Sequence, residues 1–111
     1  MRKAAVNHEL YEYRARILKA LAHPSRLLMV DVLSEGERCV CELQELVGSD
    51  MSTVSKHLAV LKAAGIVSDR KQGLKVFYRL EVTCIKCFLD CADAVVRNNA
   101  LAQERVAALV R

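Results

Sequence analysis

Five cysteines fall in two groups, Cys39 and Cys41 as Cys-x-Cys, and Cys84, Cys87 and Cys91 as Cys-x-x-Cys-x-x-x-Cys. An odd count in a chain without secretory features argues against a disulfide scaffold and for thiol chemistry or metal binding. On a helix, spacings of three and four place Cys84, Cys87 and Cys91 on one face. Three thiolates suit a soft trigonal ion such as As(III), or Cd(II) or Pb(II) with a further ligand. At about 1.5 Å per residue, however, Cys84 and Cys91 stand roughly 10 Å apart along an ideal helix, too far for one small ion to bridge unaided. Either Cys84 precedes the regular helix and folds back, or the site draws on a partner subunit or on Cys39 and Cys41. Side chains two apart on a helix point about 200° from each other, so Cys39 and Cys41 chelate only if the helix start is irregular or another segment contributes. Cys84, Cys87 and Cys91 are therefore the first choice of metal ligands, and Cys39 and Cys41 the second, with small buried packing residues as the bland reading of that pair.

The second chemical feature is charge. The net charge of +4 is unevenly placed: between Lys56 and Arg79, six basic residues (Lys56, Lys62, Arg70, Lys71, Lys75, Arg79) stand against the single acid Asp69. A local excess of +5 suits a polyanion, though by itself it could equally be a solvated face. The elements that carry it decide.

Apolar residues Leu10, Tyr13, Ile17, Leu18 and Leu21 recur at spacings of three and four, predicting an amphipathic helix over Glu9–Ala22 that stops at His23. Pro24 suits the first position of a second helix carrying Leu27, Leu28, Val30, Val32 and Leu33, which Gly36 ends. A short third helix, about Val40–Val47, turns Leu43, Leu46 and Val47 inward and is closed by Gly48. Asp50 then caps a fourth helix, about Met51–Ala64, that buries Val54, Leu58, Leu61 and Val60 and ends at Gly65. The β-branched and aromatic runs Ile66–Val67 and Val76–Tyr78, with Arg70–Gly73 as the turn between them, predict a β-hairpin over about 66–80. Thr83 caps a last helix, about Cys84–Val110, with more apolar surface than so small a chain can cover, which implies a dimer.

Composition bounds the rest. At 111 residues and 12.4 kDa the chain is expected to be a single domain, and 53% hydrophobic residues with only 5% aromatic and no Trp favour a helical core of Leu, Val, Ile and Ala. One Pro and four Gly exclude collagen-like or Pro-rich disorder, and 27% charged residues argue against a membrane-embedded chain. No apolar run approaches the roughly 18–20 residues that span a bilayer, and the amino terminus turns charged without an h-region; the expected location is the cytoplasm.

Two short helices on a tight turn followed by a basic hairpin form a winged helix-turn-helix, expected here to read double-stranded DNA. Ser52, Thr53 and Ser55 put small hydroxyls at the start of its second helix, where they reach phosphates or base edges without holding the helix off the groove. Lys56 adds charge, His57 is placed on the DNA-facing or surface side, and Arg70, Lys71 and Lys75 on the hairpin would follow the flanking backbone. The strings DMSTVSKHLAVLKAAGIV (50–67), LAHPSR (21–26), CVCEL (39–43) and RKQGLKVFYRL (70–80) closely resemble the ArsR/SmtB family of bacterial metal-responsive repressors. That resemblance covers about residues 9–83 and, in pattern, the last helix. It implies a homodimer joined through the first and last helices (about 9–22 and 84–110), the 51–64 helix in the major groove, and an inducer that releases the operator. Cys39 and Cys41 resemble the Cys-Val-Cys of arsenic and cadmium/lead sensors. The third cysteine of the arsenic sensors is replaced here by Gln44. All three histidines, at 8, 23 and 57, lie outside the last helix, so the His/Asp sites that zinc and nickel/cobalt members carry there are absent.

The expected inducer is As(III), with Sb(III), Cd(II) or Pb(II) as alternatives. A rival on the same fold is a redox- or sulfide-responsive repressor in which Cys84 and Cys87, or a pair drawn from the two clusters, form a disulfide or polysulfide link. A thiol enzyme using Cys84-Ile-Lys-Cys87 is the third reading, and it lacks both the strand–helix alternation and an acid or base partner.

Overall fold

Capping chemistry sets most of the element boundaries. The computed structural model describes residues 6–110 as α1 (His8–Leu21), α2 (Pro24–Leu33), β1 (Arg38–Cys39), α3 (Val40–Val47), α4 (Met51–Ala63), β2 (Val67–Gln72), β3 (Lys75–Leu80) and α5 (Ile85–Ala108); residues 1–5 and 111 lie outside the described part. The Asn7 side chain accepts the Leu10 N–H at 3.2 Å to start α1. His23, expected only to stop the first helix, also starts the second: its Nδ1 accepts the Ser25 N–H at 3.1 Å, with Pro24 as the first helical residue. Asp50 Oδ1 accepts the Thr53 N–H at 2.7 Å, so α4 begins where the sequence predicts. At its end, Gly65 (φ +79°) donates to Lys62 O and Ile66 to Leu61 O, both at 3.0 Å. This left-handed cap folds Ile66 back on Leu61, and both side chains are buried.

The core is one cluster. Met29, Val30 and Leu33 of α2, Leu43 of α3, Val54, Leu58 and Leu61 of α4, and Ile66 and Val67 close around each other, with Ala20, Leu21 and Ile85 at the margins. Val60 and Leu46, expected inward, are exposed. Val60 lies about 100° around α4 from Leu61, outside the stripe that Val54, Leu58 and Leu61 already fill, and Leu46 sits off the Leu43–Val47 line by a similar logic.

Three boundaries differ from the sequence reading. The sheet has three strands in the order β1-β3-β2, because Arg38 and Cys39 pair antiparallel with Tyr78 and Phe77. Arg70, Lys71 and Gln72 are strand rather than turn: Gln72 pairs with Lys75, leaving a two-residue turn of Gly73 (φ +62°) and Leu74, and glycine at that first position permits it. Cys84, not Thr83, is the N-cap of α5, and the helix ends at Ala108. Ile85, buried at the start of α5, anchors its first turn against the core.

The α1 and α5 faces remain uncovered in the single chain. Tyr13, Ile17 and Leu18 on α1 and Phe88, Val95, Val96 and Leu101 on α5 are exposed. The radius of gyration is 18.1 Å, against about 13 Å for a compact chain of this length. The accessible surface is 8575 Å², against roughly 6,100 Å² for a folded monomer of this mass. Among the described residues no helix is long and apolar enough to cross a membrane.

Leu58, fully buried at the centre of this cluster, sets a test of the packing. Leu58→Ala should destabilise the fold by about 2–5 kcal/mol in urea unfolding at fixed protein concentration, through lost burial and the cavity left behind.

Candidate nucleic-acid interface and thiol site

The turn between α3 and α4 is three residues, Gly48 to Asp50, with Gly48 in the left-handed region (φ +79°) and its N–H on Gln44 O. It lets α4 leave the α3 packing with its amino-terminal turn exposed. Ser52, Thr53, Ser55 and Lys56 lie on that open surface. The Asp50 carboxyl is held below the usual carboxylate range, first by the Thr53 N–H it accepts and also by the nearby Lys56 charge.

His57 is turned elsewhere. Its ring lies 4.2 Å from the ring of His23, centroid to centroid, and its Nδ1 is 3.1 Å from Arg26 Nη1. Since a guanidinium only donates, the geometry requires a neutral imidazole accepting at Nδ1. The expected DNA-facing side chain is instead half-buried against the start of α2. Burial, and then the neighbouring His23 and Arg26, hold its pKa below the ordinary 6.5.

The basic run is partly neutralised from within the fold. Lys62 pairs with Asp69 at 3.0 Å, Arg79 with Glu81 at 3.1 Å, and Arg70 with Glu37 at 2.5 Å. Arg70 also stacks on Phe77, its Cζ 4.7 Å from the ring centroid. Lys56, Lys71 and Lys75 have no ion-pair partner among the described residues. The last two lie at the outer end of the hairpin, next to the exposed Leu74 of the turn.

The thiols separate into a pair and a row. Cys39 is the last residue of β1 and the N-cap of α3, with extended backbone (φ −68°, ψ 147°), so the irregular helix start that chelation required is present. The Cys39 and Cys41 sulfurs lie 2.7 Å apart, Cys39 buried and Cys41 exposed. The hydrogen bond from Cys41, with smaller help from backbone N–H groups and the Lys75 charge, lowers the Cys39 thiol from its usual value, and the same bond pushes Cys41 up. Of the two thiols, Cys39 is therefore the more readily ionised. The Cys39 N–H donates to Glu42 Oε1 at 3.1 Å, closing a capping box. Cys-x-x-Glu at 39–42 is the sequence signal that could have revealed this local bend.

Cys84, Cys87 and Cys91 are all exposed, with Cys84 just ahead of α5. Although Cys84 does precede the regular helix, it does not fold back to gather the other two. Among the described residues no group of three or more His, Cys, Asp or Glu side chains is assembled to hold a metal ion.

Helix–turn–helix, paired hairpin and exposed amino-terminal turn define a winged helix-turn-helix of the kind that binds DNA. Residues 23–69 match the bacterial regulatory proteins of the arsR family. Over 86 residues the chain is 38% identical to an uncharacterized HTH-type transcriptional regulator of Methanocaldococcus jannaschii, covering 77% of this chain and 97% of that protein. It is 39% identical over 97 residues to the arsenical resistance operon repressor of Escherichia coli, 86% of this chain and 80% of that one. Identity reaches 46% over 66 residues with the biofilm growth-associated repressor of Xylella fastidiosa, where the match covers 60% of this chain and only 58% of the relative. The solution structure of a homodimeric winged helix-turn-helix DNA-binding domain from Mycobacterium bovis, a possible ArsR-family regulator, is similar with a TM-score of 0.73 at 28% identity, covering 88% of this chain and 91% of that one. This chain belongs to the arsR family and is a DNA-binding transcriptional regulator, not an enzyme.

The His57 environment predicts a pH dependence. A histidine whose folded pKa is depressed contributes stability that is whole above its ordinary value of 6.5 and is lost as the pH falls from there through the folded value. Thermal midpoints measured from about pH 7.5 to about pH 5 should therefore fall more steeply for the wild type than for His57→Gln, which keeps an acceptor for Arg26 but does not titrate.

Proposed function

We propose that this chain is a homodimeric, cytoplasmic repressor that holds its operator while its thiols are free and leaves when As(III), or a similarly soft ion such as Sb(III), Cd(II) or Pb(II), takes them. The observation that carries the reading is the Cys39–Cys41 pair, two sulfurs in contact at the N-cap of the helix on which the reading helix packs. A sulfur with a lowered pKa beside a second sulfur is a ready donor set for a soft, thiophilic ion. The E. coli relative's name supports arsenic among these ions. The ligands missing from the pair are assigned to the exposed row Cys84, Cys87 and Cys91, from the same or the partner subunit. The whole of residues 1–111 acts as one domain, with about 9–22 and 84–110 forming the dimer interface, for which the uncovered α1 and α5 faces and the homodimeric structural relative are the support.

On DNA, the α4 amino terminus enters the major groove with Ser52, Thr53, Ser55 and Lys56, and Lys71 and Lys75 of the wing follow the backbone. Loading the pair displaces both thiol protons, ties both sulfurs down and disturbs the α3 cap. A coupling of about 1–3 kcal/mol, or about 5- to 150-fold in operator affinity, is enough for regulation.

A second reading shares the pair. Two thiols in contact, one of them with a lowered pKa, also suit disulfide formation, in which the pair gives up two protons and two electrons to an oxidant such as a peroxide or polysulfide.

Fluorescence anisotropy of the reduced protein on the DNA upstream of its own gene, titrated in parallel with arsenite, Cd(II) and oxidant, separates these readings. Release by arsenite is expected, lost in Cys39→Ser and Cys41→Ser and weakened in the Cys84, Cys87 and Cys91 serine variants. Release by oxidant or polysulfide alone would replace the metalloid reading with the redox one. On the same DNA, Lys71→Ala should weaken all sequences alike and reduce the slope of log affinity against log salt by about 0.9 for one lost phosphate contact, whereas Ser55→Ala should alter the preference among sequences.

A further inference from the structure

We infer that Arg70, despite its place on the basic hairpin, is a positioning residue that fixes the angle of the wing through Glu37, and not a phosphate ligand. The inference rests on the reading of the hairpin as a DNA-contacting wing. In the sheet order β1-β3-β2, Arg70 on β2 pairs directly with Phe77 on β3, and Phe77 pairs in turn with Cys39 on β1. The Arg70 guanidinium lies over the Phe77 ring, 4.7 Å from its centroid, and its Nε meets Glu37 Oε1 at 2.5 Å, two residues before Cys39. One side chain therefore spans the sheet, from the outer strand across the middle one to the segment that leads into the third.

The location gives this bridge leverage. β1 pairs only with Phe77 and Tyr78, so beyond Phe77 the hairpin continues as a two-stranded ribbon without a third strand, and such a ribbon is marginal on its own. Lys71 and Lys75, the wing cations without an ion-pair partner among the described residues, lie on that ribbon. The Glu37–Arg70–Phe77 contact sits at the line where three strands become two, and Arg70 Nη1 also donates to Gln72 Oε1 at 2.6 Å on the ribbon side. With its guanidinium engaged by a carboxylate, an amide oxygen and an aromatic face, Arg70 is aimed along the sheet.

The two roles predict opposite signs for Glu37. If Arg70 binds phosphate, Glu37 competes with DNA and adds repulsion, so Glu37→Gln tightens binding. If Arg70 positions the wing, Glu37→Gln removes an acid and still weakens binding. We expect weakening of about two- to fivefold, the size of one partly exposed ion pair. The slope against log salt should stay at the wild-type value, and Arg70→Gln and the double variant should match the single change. Lys71→Ala supplies the comparison for a true phosphate contact. In the free protein, amide exchange over residues 71–76 should speed up in Glu37→Gln and Arg70→Gln. Tighter or unchanged DNA binding by Glu37→Gln, a flattened slope in Arg70→Gln, or unaltered exchange in the wing would overturn the inference. Because the exchange readout needs no DNA, it decides the positioning role even if the hairpin proves not to contact DNA, which the wild-type salt slope reports separately.

Discussion

Cys39 has to serve two structures at once. Its extended backbone is the last rung of β1, paired with Phe77, and the same residue is the N-cap of α3, its N–H on Glu42 and its sulfur against Cys41. A residue inside a helix could not pair with a strand, and one inside a long strand would share a face with the residue two further on but stand about 7 Å from it, since each regular geometry fixes where the side chain goes. The junction is what makes a Cys-x-Cys into a thiol pair. It also ties that pair to the wing through strand pairing on one side and to the helix-turn-helix through the chain itself on the other.

From this point the two halves of the proposed DNA surface are reached by short paths. α3 begins at Val40 and packs its Leu43 into the cluster with Val54 and Leu58 of α4, so a change at the α3 cap bears on the seat of the reading helix. In the other direction Cys39 pairs with Phe77, whose ring supports Arg70, and Arg70 is held by Glu37 just ahead of β1. Protein interiors and paired strands respond to a local change by shifting as units, which is how a disturbance at two sulfurs gains the reach to alter a docking geometry. The row Cys84, Cys87 and Cys91 lies at the start of α5, a helix with a long uncovered apolar face, and so belongs to the side of the molecule assigned to the dimer.

Much of this architecture was legible in the residues. Helical periodicity, with glycines at 48 and 65, Pro24 at a helix start and Asp50 as a cap, located all five helices to within a residue or two, and the β-branched and aromatic run Val76–Tyr78 located the hairpin. What escaped has a common cause, dependence on partners far away in sequence. A two-residue strand has no alternation to detect, so β1 went unread, and whether the start of the third helix is irregular enough to bring Cys39 and Cys41 together stayed open until the junction was seen. The charge run was read as a local excess of +5, but which cations are paired was not legible, because the carboxylate that engages Arg70 comes from Glu37, well upstream, and Asp69 reaches Lys62 only across the chain reversal. His57 looked outward by position on α4 until Arg26 and His23 appeared beside it.

The central claim is that thiol loading and operator binding oppose each other through one linked equilibrium, and linkage makes that claim reciprocal. The most direct test is the arsenite affinity of the reduced protein, followed by the ultraviolet absorbance of its thiolate complex, with and without saturating operator DNA. The account predicts weaker arsenite binding in the presence of DNA, by the same factor by which arsenite weakens the operator, and loss of that coupling in Cys39→Ser. Equal arsenite affinity with and without DNA would contradict it.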